Sequence, residues 1–325
     1  MPEMTKDPEA VANIMKSISE EVGKTIVGYD EQIEDFMVCM LTQGHLLIEG
    51  VPGIAKTTLA KAFSSVCKLS YKRIQFTQDL LPADITGHYF FNQKNGEFEV
   101  RKGPLFAGLV LADEINRAPP KTQSALLEAM QERQITIEGQ TFQLPDPFMV
   151  IATLNPIETE GVYPLPEAQI DRFMIKSVMD YLDETKELDV LRLKSAREEL
   201  ISPVIETEDI FEMSEDVMRV HAHASILKYV EDIARATRGI EELDLGLSPR
   251  GAIHMLQTSK AHAYLTGRSY VIPDDVKAMA HKVIDHRLIL SPEAELGGST
   301  RASLTDSILS SVPVPKGEFK EGAKS

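Results

Sequence analysis

The chain contains no tryptophan and only two cysteines, and aromatic residues fill just 6% of its 325 positions. Two cysteines, Cys39 and Cys67, cannot build a disulfide framework or, unaided, a zinc site. Both sit among apolar residues and are expected as reduced core side chains. No apolar run approaches the roughly 20 residues that span a bilayer, so direct membrane insertion is not expected. The opening Met1-Pro2-Glu3-Met4-Thr5-Lys6-Asp7 lacks the basic-then-apolar pattern of a secretory leader, and a cytoplasmic location is expected. Positive charge is scarce: 34 Lys and Arg stand against 50 Asp and Glu, a net charge of −16. Such a balance suits neither the wrapping of nucleic acid nor the coating of an anionic membrane. A largely disordered chain is excluded by 43% hydrophobic and 26% charged residues, both ordinary for globular proteins. The length allows two or three domains.

What is present alternates. Apolar spacing predicts two helices over 8–44, broken at Val27-Gly28-Tyr29. Short apolar runs predict strands over 45–49, 71–76, 109–112, 148–153 and 173–179, with helices over 59–66 and 122–132 between them. This rhythm predicts an α/β fold, a parallel sheet flanked by helices. Two hairpins interrupt it, over 89–100 around Asn95-Gly96 and over 134–144 around Glu138-Gly139. The first carries Tyr89-Phe90-Phe91, which suits either packing or substrate contact. Beyond about 180 the patterns are helical, over 188–197, 214–226, 229–238, 249–265 and 274–288. The expected division is therefore 1–180, an α/β core with two hairpin insertions; 181–312, an all-helical domain; and 313–325, a flexible tail.

Gly50-Val51-Pro52-Gly53-Ile54-Ala55-Lys56-Thr57 lies between a predicted strand and a predicted helix. It matches the phosphate-loop pattern GxxxxGK[ST] except that Ala55 stands at the second glycine. An ordinary helical backbone at Ala55 is expected to accommodate that change. With Thr58, these residues form the expected nucleotide-binding set. Lys56 reaches the β- and γ-phosphates and Thr57 ligates Mg²⁺, while the anion meets a helix N-terminus. The apolar run 109–112 ends in Asp113-Glu114. Alternation along a strand sends the two acids to different jobs: Asp113 to help hold Mg²⁺, Glu114 to orient or deprotonate the attacking water. Asn155, before Pro156 at the end of the fourth strand, is placed to contact the γ-phosphate or the water. Arg172 is a candidate arginine finger. Arg250 follows Ser248-Pro249 in the first turn of a helix, where a bound anion would give a cation a purpose. His221 with His223, and His281 with His286, are poorly aligned for metal binding on a helix.

Together these stretches resemble the AAA+ ATPases, and more closely the MoxR family within them. Further residues carry the resemblance: Ile26-Val27-Gly28, Gln75-Phe76-Thr77, Leu81-Pro82-Ala83-Asp84-Ile85-Thr86-Gly87, Gly103-Pro104-Leu105-Phe106, Asp113-Glu114-Ile115-Asn116-Arg117-Ala118 and Leu165-Pro166-Glu167-Ala168-Gln169-Ile170-Asp171-Arg172-Phe173. The resemblance covers about residues 20–310, and Ala55 looks like the MoxR form of the loop. It implies an AAA+ phosphate-loop core with a helical lid, ATP and Mg²⁺ as cofactors, ATP hydrolysis, and a homo-oligomeric, hexameric ring with nucleotide at subunit interfaces. It implies that Val27 and Gly28 lie near the adenine and that Asn155 and Arg250 are the first and second sensors. It implies a chaperone acting on client proteins, among them partners with a von Willebrand factor A domain, and hairpin insertions that face the ring pore. A nucleic-acid motor and the ATPase subunit of a metal chelatase are the alternatives. The acidic balance disfavours the first, and Leu81-Pro82-Ala83-Asp84 with Ser248-Pro249-Arg250 disfavours the second. A nucleotide-binding scaffold without turnover is disfavoured by Glu114 and Arg172.

Overall fold

The computed structural model describes residues 4–156, 161–195 and 199–320. Helix α1 (Pro8–Gly23) opens on Asp7, whose carboxylate accepts from the Glu9 N–H at 3.1 Å. Its buried stripe is Val11, Ile18 and Val22. Helix α2 (Asp30–Leu41) begins with two acids, Asp30 and Glu31, at the positive end of its dipole. Gly28, in the break between the two helices, has φ +87°, a conformation that favours glycine.

Strand β1 (Leu46–Gly50) leads through the phosphate loop into α3 (Lys56–Val66) and β2 (Tyr71–Gln75). A short α4 (Pro82–Thr86) precedes the first hairpin, β3 (Gly87–Asn92) and β4 (Glu97–Lys102). Then come β5 (Leu109–Asp113), α5 (Pro120–Glu132) and the second hairpin, β6 (Gln134–Ile137) with β7 (Gln140–Gln143). Strand β8 (Met149–Leu154), the short α6 (Glu167–Ile170) and β9 (Ile175–Met179) complete the sheet. Its order is β2-β5-β8-β1-β9, and every pairing is parallel.

The strands read as continuous apolar runs because both faces are covered. Leu46, Ile48, Leu109, Leu111, Met149 and Ile151 join one core cluster, with α1, α2, α3 and the helices beyond the sheet. Leu47, Val110, Ala112, Val150 and Ala152 join another, with α5 and the second hairpin. That split is the period-2 alternation of a strand.

After β9 come α7 (Glu184–Ser195), α8 (Thr207–Arg219), α9 (Ala224–Thr237), β10 (Leu243–Leu245), α10 (Pro249–Leu265), α11 (Pro273–Ile284), β11 (Ile289–Leu290), α12 (Pro292–Leu296) and α13 (Arg301–Ser311). The expected all-helical half is corrected: among the described residues it is mostly helical but holds an antiparallel ribbon, β10 with β11, and an isolated bridge between His221 and Tyr270. The expected helix over 214–226 is corrected: the chain breaks between Arg219 and Ala224, and His223 caps α9 by accepting from the Ser225 N–H at 3.2 Å. Apolar spacing alone runs across this break because Val217, Val220 and Ala224 stand at i, i+3 and i+7. The last two residues of the expected helix over 188–197 lie outside the described residues, as do 321–325 of the expected tail. Within 313–320, Phe319 packs against the core.

Both hairpins form. Glu138 and Gly139 (φ +47° and +87°) make a two-residue turn of the type that matches strand twist. In the first hairpin Asn92 pairs with Glu97, so Asn95-Gly96 ends a four-residue loop. Phe90, Phe91 and Phe98 are exposed there, and the Phe91 and Phe98 rings pack 5.3 Å apart. The Tyr89 hydroxyl instead donates to Gln140 of the second hairpin at 2.6 Å. Among the described residues no helix is long and apolar enough to cross a membrane.

Candidate functional site

Because the strands run parallel, their carboxyl ends share one edge of the sheet. Gly50 ends β1, Asp113 ends β5, and Asn155, buried, follows β8. That edge is where an open α/β sheet presents its ligand crevice. A side chain on Gly50 would strike the Met179 carbonyl at 2.5 Å, so glycine is required for close passage of the chain there. Gly53 has φ +85°. Ala55 also lies in the left-handed region, at φ +66° and ψ 22°, immediately before α3. The expected helical backbone at this residue is therefore overturned. The position needs the conformation that glycine adopts freely, and alanine holds it at a cost of about 1 kcal/mol. No side chain caps α3, which leaves its first N–H groups available to an anion. Lys56 Nζ donates to the Gly50 carbonyl at 2.6 Å. Burial pulls its pKa down, and Asp113 and Glu114 pull it back up.

The two acids diverge for a different reason than strand alternation. The strand ends at Asp113, and Glu114 turns into the left-handed region (φ +57°, ψ 51°) ahead of a short 3₁₀ turn over 115–117. Strained residues of this kind collect at functional sites. Thr153 ties the pair together: its hydroxyl donates to Asp113 Oδ1 at 2.7 Å and accepts from the Glu114 N–H at 2.8 Å. Arg73 pairs with Asp113 Oδ2 at 2.6 Å. Glu114 Oε2 accepts from Gln75 at 2.8 Å and faces Arg117 Nε at 3.1 Å. The roles of Arg73 and Thr153 escape the sequence reading because neither belongs to a motif; both act from strands flanking β5.

A cavity of about 350 Å³ adjoins the loop, lined in part by Val27, Pro52, Gly53, Ile54, Ala55 and Thr58. Six of the expected nucleotide-binding residues thus share one wall. Gly28 flanks it, and a Cβ there would meet Leu182 and Lys186 at 2.9 Å. Tyr181 and Leu182, between β9 and α7, and Val190 and Leu191, on α7, also line it; in the sequence they are legible only as unexplained apolar residues, and α7 buries none of its own side chains. Val51 packs beside the core and Thr57, half-buried, sits in the first turn of α3.

Arg172 and Arg250 are elsewhere. Both line a cavity of about 190 Å³ with His45, Met130 and His254. His45 immediately precedes β1, and Arg172 lies just before β9, whose Ile175 pairs with Leu46. This is the amino edge of the sheet. The five residues of β1 separate it from the phosphate loop by roughly 16 Å. Arg172 donates to the Leu127 carbonyl at 3.0 Å, and Arg250 lies 3.7 Å from Asp171.

The nearby histidine is held neutral. His45 accepts from the Val150 N–H through Nδ1 at 3.0 Å and donates to the Met130 carbonyl through Nε2 at 3.0 Å. Burial lowers its pKa to about 4. His221 and His223 flank the α8–α9 break with rings 6.4 Å apart, and His281 meets Asp285 and Asp306.

Comparisons with known proteins agree with this geometry. The family model described as "ATPase family associated with various cellular activities (AAA)" matches residues 45–175, and "AAA lid domain" matches 235–308. The chain is 46% identical to the uncharacterised protein YeaC of Bacillus subtilis, over 91% of this chain and 93% of that one. It is 40% identical to the chaperone MoxR1 of Mycobacterium tuberculosis, over 91% of this chain and 81% of that one. The crystal structure of a provisionally assigned ATPase from Cytophaga hutchinsonii superposes with a TM-score of 0.89 at 41% identity, covering 95% of this chain and 97% of that one. The phosphate loop, the acid pair, the parallel sheet and the helical lid therefore belong together: this chain is a member of the MoxR family of AAA+ ATPases.

Proposed function

We propose that the protein hydrolyses ATP with Mg²⁺ in a ring of its own copies, hexameric as the family resemblance implies, and uses the cycle to remodel, assemble or activate client proteins, including partners with a von Willebrand factor A domain. The observation that carries this reading is the separation of the phosphate loop from Arg172 and Arg250 at opposite edges of one sheet. A chain so built cannot bring its own Arg172 to its own phosphate. A head-to-tail neighbour can, and head-to-tail pairing that closes makes a ring.

In this reading Lys56 holds the β- and γ-phosphates and Glu114 takes a proton from the attacking water. Gln75 and Arg117 orient the Glu114 carboxylate. The Thr57 hydroxyl and the Asp113 carboxylate are hard oxygen donors of the kind Mg²⁺ accepts alongside phosphate oxygens and water. The ion supplies charge neutralisation to the phosphates. Asn155, buried beside the acid pair's strand, contacts the γ-phosphate or the water. Arg172 and Arg250 approach from the next subunit. The exposed Phe90, Phe91 and Phe98 suit client contact better than core packing.

The test mixes two inactive proteins. Lys56→Ala subunits lack a working phosphate loop, and Arg172→Ala subunits lack the finger. In mixed rings some interfaces pair an intact loop with an intact finger, and partial ATPase activity returns. No recovery in rings shown to be mixed would overturn the reading. A rise of turnover with single-stranded DNA, and none with protein clients, would favour a nucleic-acid motor instead.

A further inference from the structure

The residue before Arg172 is the hub of a buried polar network. Arg287, on the short turn after α11, is only 6% exposed. Its Nε donates to Asp171 Oδ1 at 2.7 Å. Its Nη1 donates to the carbonyls of Met174, at 3.3 Å, and Val283. Its Nη2 faces the carbonyls of Asp171 at 3.3 Å and Phe173 at 2.5 Å, and His254 Nδ1 at 2.7 Å. A guanidinium has five N–H donors in a fixed fork; here six acceptors surround it, so one N–H is shared.

The other side of Asp171 is held as well. The Ser248 hydroxyl donates to its two carboxylate oxygens at 3.3 and 3.2 Å while capping α10 through the Gly251 N–H at 3.0 Å. Arg250 adds the contact at 3.7 Å. Even the backbone of α10 is shaped for this: a Cβ on Gly251 would come within 2.9 Å of Arg287 Cδ. His254 must accept from Arg287, which requires the neutral ring, and burial with the adjacent guanidinium lowers its pKa to about 4.

The carbonyls of 171, 173 and 174, on both sides of Arg172, are thus seized by one side chain from the helical half of the molecule. Burying a cation so fully is costly and is repaid only by this complete set of acceptors. Asp171–Arg287 is therefore a rigid mount on which the Arg172 backbone sits, and its Arg287 half belongs to the lid helices.

We infer that Arg287 is a positioning residue for the arginine finger: through Asp171 it fixes Arg172 to the helical half, so the placement of the lid in one subunit sets the hydrolysis rate at the site of its neighbour. This rests on the reading of Arg172 as a finger acting across a subunit boundary. Lys cannot replace Arg here, because an ammonium cannot span a carboxylate and a row of carbonyls.

The test separates the two subunits. Arg287→Lys is placed on the finger-supplying Lys56→Ala subunit, whose own site is already dead, and mixed with Arg172→Ala subunits. ATPase recovery is expected to fall at least tenfold relative to the parental mixture. The same substitution placed on the Arg172→Ala subunit is expected to leave recovery within about twofold. In the protein carrying Arg287→Lys alone, kcat falls while nucleotide affinity, read with a fluorescent ATP analogue, is unchanged. Equal recovery from both placements, or loss from both, overturns the inference. If Arg287→Lys subunits fail to enter rings, Asp171→Asn decides by the same pair of placements: it removes the charge that pairs with Arg287 while keeping the shape of the side chain, and a loss of recovery confined to the finger-supplying placement is expected, equal recovery from both overturning the inference. Failure of the parental mixture to recover at all sinks the finger reading itself, and this inference with it.

Discussion

The two edges of the sheet solve different problems. At the carboxyl edge Ala55 and Glu114 sit in left-handed backbone, Lys56 makes one hydrogen bond to a carbonyl, and each acid has side-chain partners, Thr153 and Arg73 for Asp113, Gln75 and Arg117 for Glu114. At the amino edge the backbone is no less strained, with Gln43, Lys68 and Arg133 also left-handed, but the polar groups are saturated: every N–H of Arg287 has an acceptor, and Arg172 stands between carbonyls that Arg287 holds in place. On the proposed function, a site that grips and releases phosphate needs groups that can change partners, whereas an arginine offered to a neighbouring subunit has no local ligand to orient it and needs a rigid mount.

The sharpest way to break this contrast is to remove one member from each edge. Arg172→Ala is expected to bind ATP normally and to lose roughly 10³–10⁵ in kcat, the range for an arginine finger. Normal turnover would return Arg172 to the status of a surface charge. Glu114→Gln keeps the hydrogen bonding of the water but cannot take its proton, and kcat should fall about 10²–10⁴-fold with ATP binding retained. Equal rates would remove Glu114 from that role.

A smaller effect sharpens the amino edge. The geometry of His45 requires a neutral ring, and its pKa is about 4 in the fold against about 6.5 in an unfolded chain. Between those values the unfolded state binds the proton and the folded state does not. Stability therefore falls as pH drops from 6.5 toward 4, by about 2 kcal/mol at pH 5 from this residue. Urea midpoints at pH 7 and pH 5 measure it, and His45→Gln should shrink the difference between them. A difference as large as in the parent would mean that other groups carry the acid sensitivity.

The smallest effect lies in the phosphate loop. Ala55→Gly relieves about 1 kcal/mol of left-handed strain and returns about half of that as chain entropy. The expected result is a gain near 0.5 kcal/mol in unfolding free energy. A loss would show that the Ala55 methyl, which packs against the core, outweighs the backbone term.

Much of the fold was legible because its signals are local. Buried strands between helices announce themselves as short apolar runs, and the five runs in the sequence are the five strands of the sheet. Glu138-Gly139 specified a hairpin by its own backbone preferences. The break between α8 and α9 was not legible, since Val217, Val220 and Ala224 keep helical spacing across it. Helix α13 is not legible because Leu304, Ile308 and Leu309 are its large apolar residues, too few to stand out among serines and charges. The ribbon of β10 and β11 joins segments more than 40 residues apart through two or three residues each, and nothing local marks it. Arg287 carried no motif, and its partners on the 171–174 segment lie more than 110 residues away.

The sequence by itself determined the chemistry: a loop that turns between strand and helix, a lysine and a threonine after it, and two carboxylates at a strand end, all set by neighbours within a few residues. Parallel pairing, expected from the alternation of strands and helices, sends Gly50, Asp113 and Asn155 to one edge. Only the tertiary structure decided that Arg172 and Arg250 stand together at the other, because Arg250 comes from α10, far along the chain. The left-handed turns at Ala55 and Glu114 likewise come from the path the chain must follow between packed elements, which local preference would oppose.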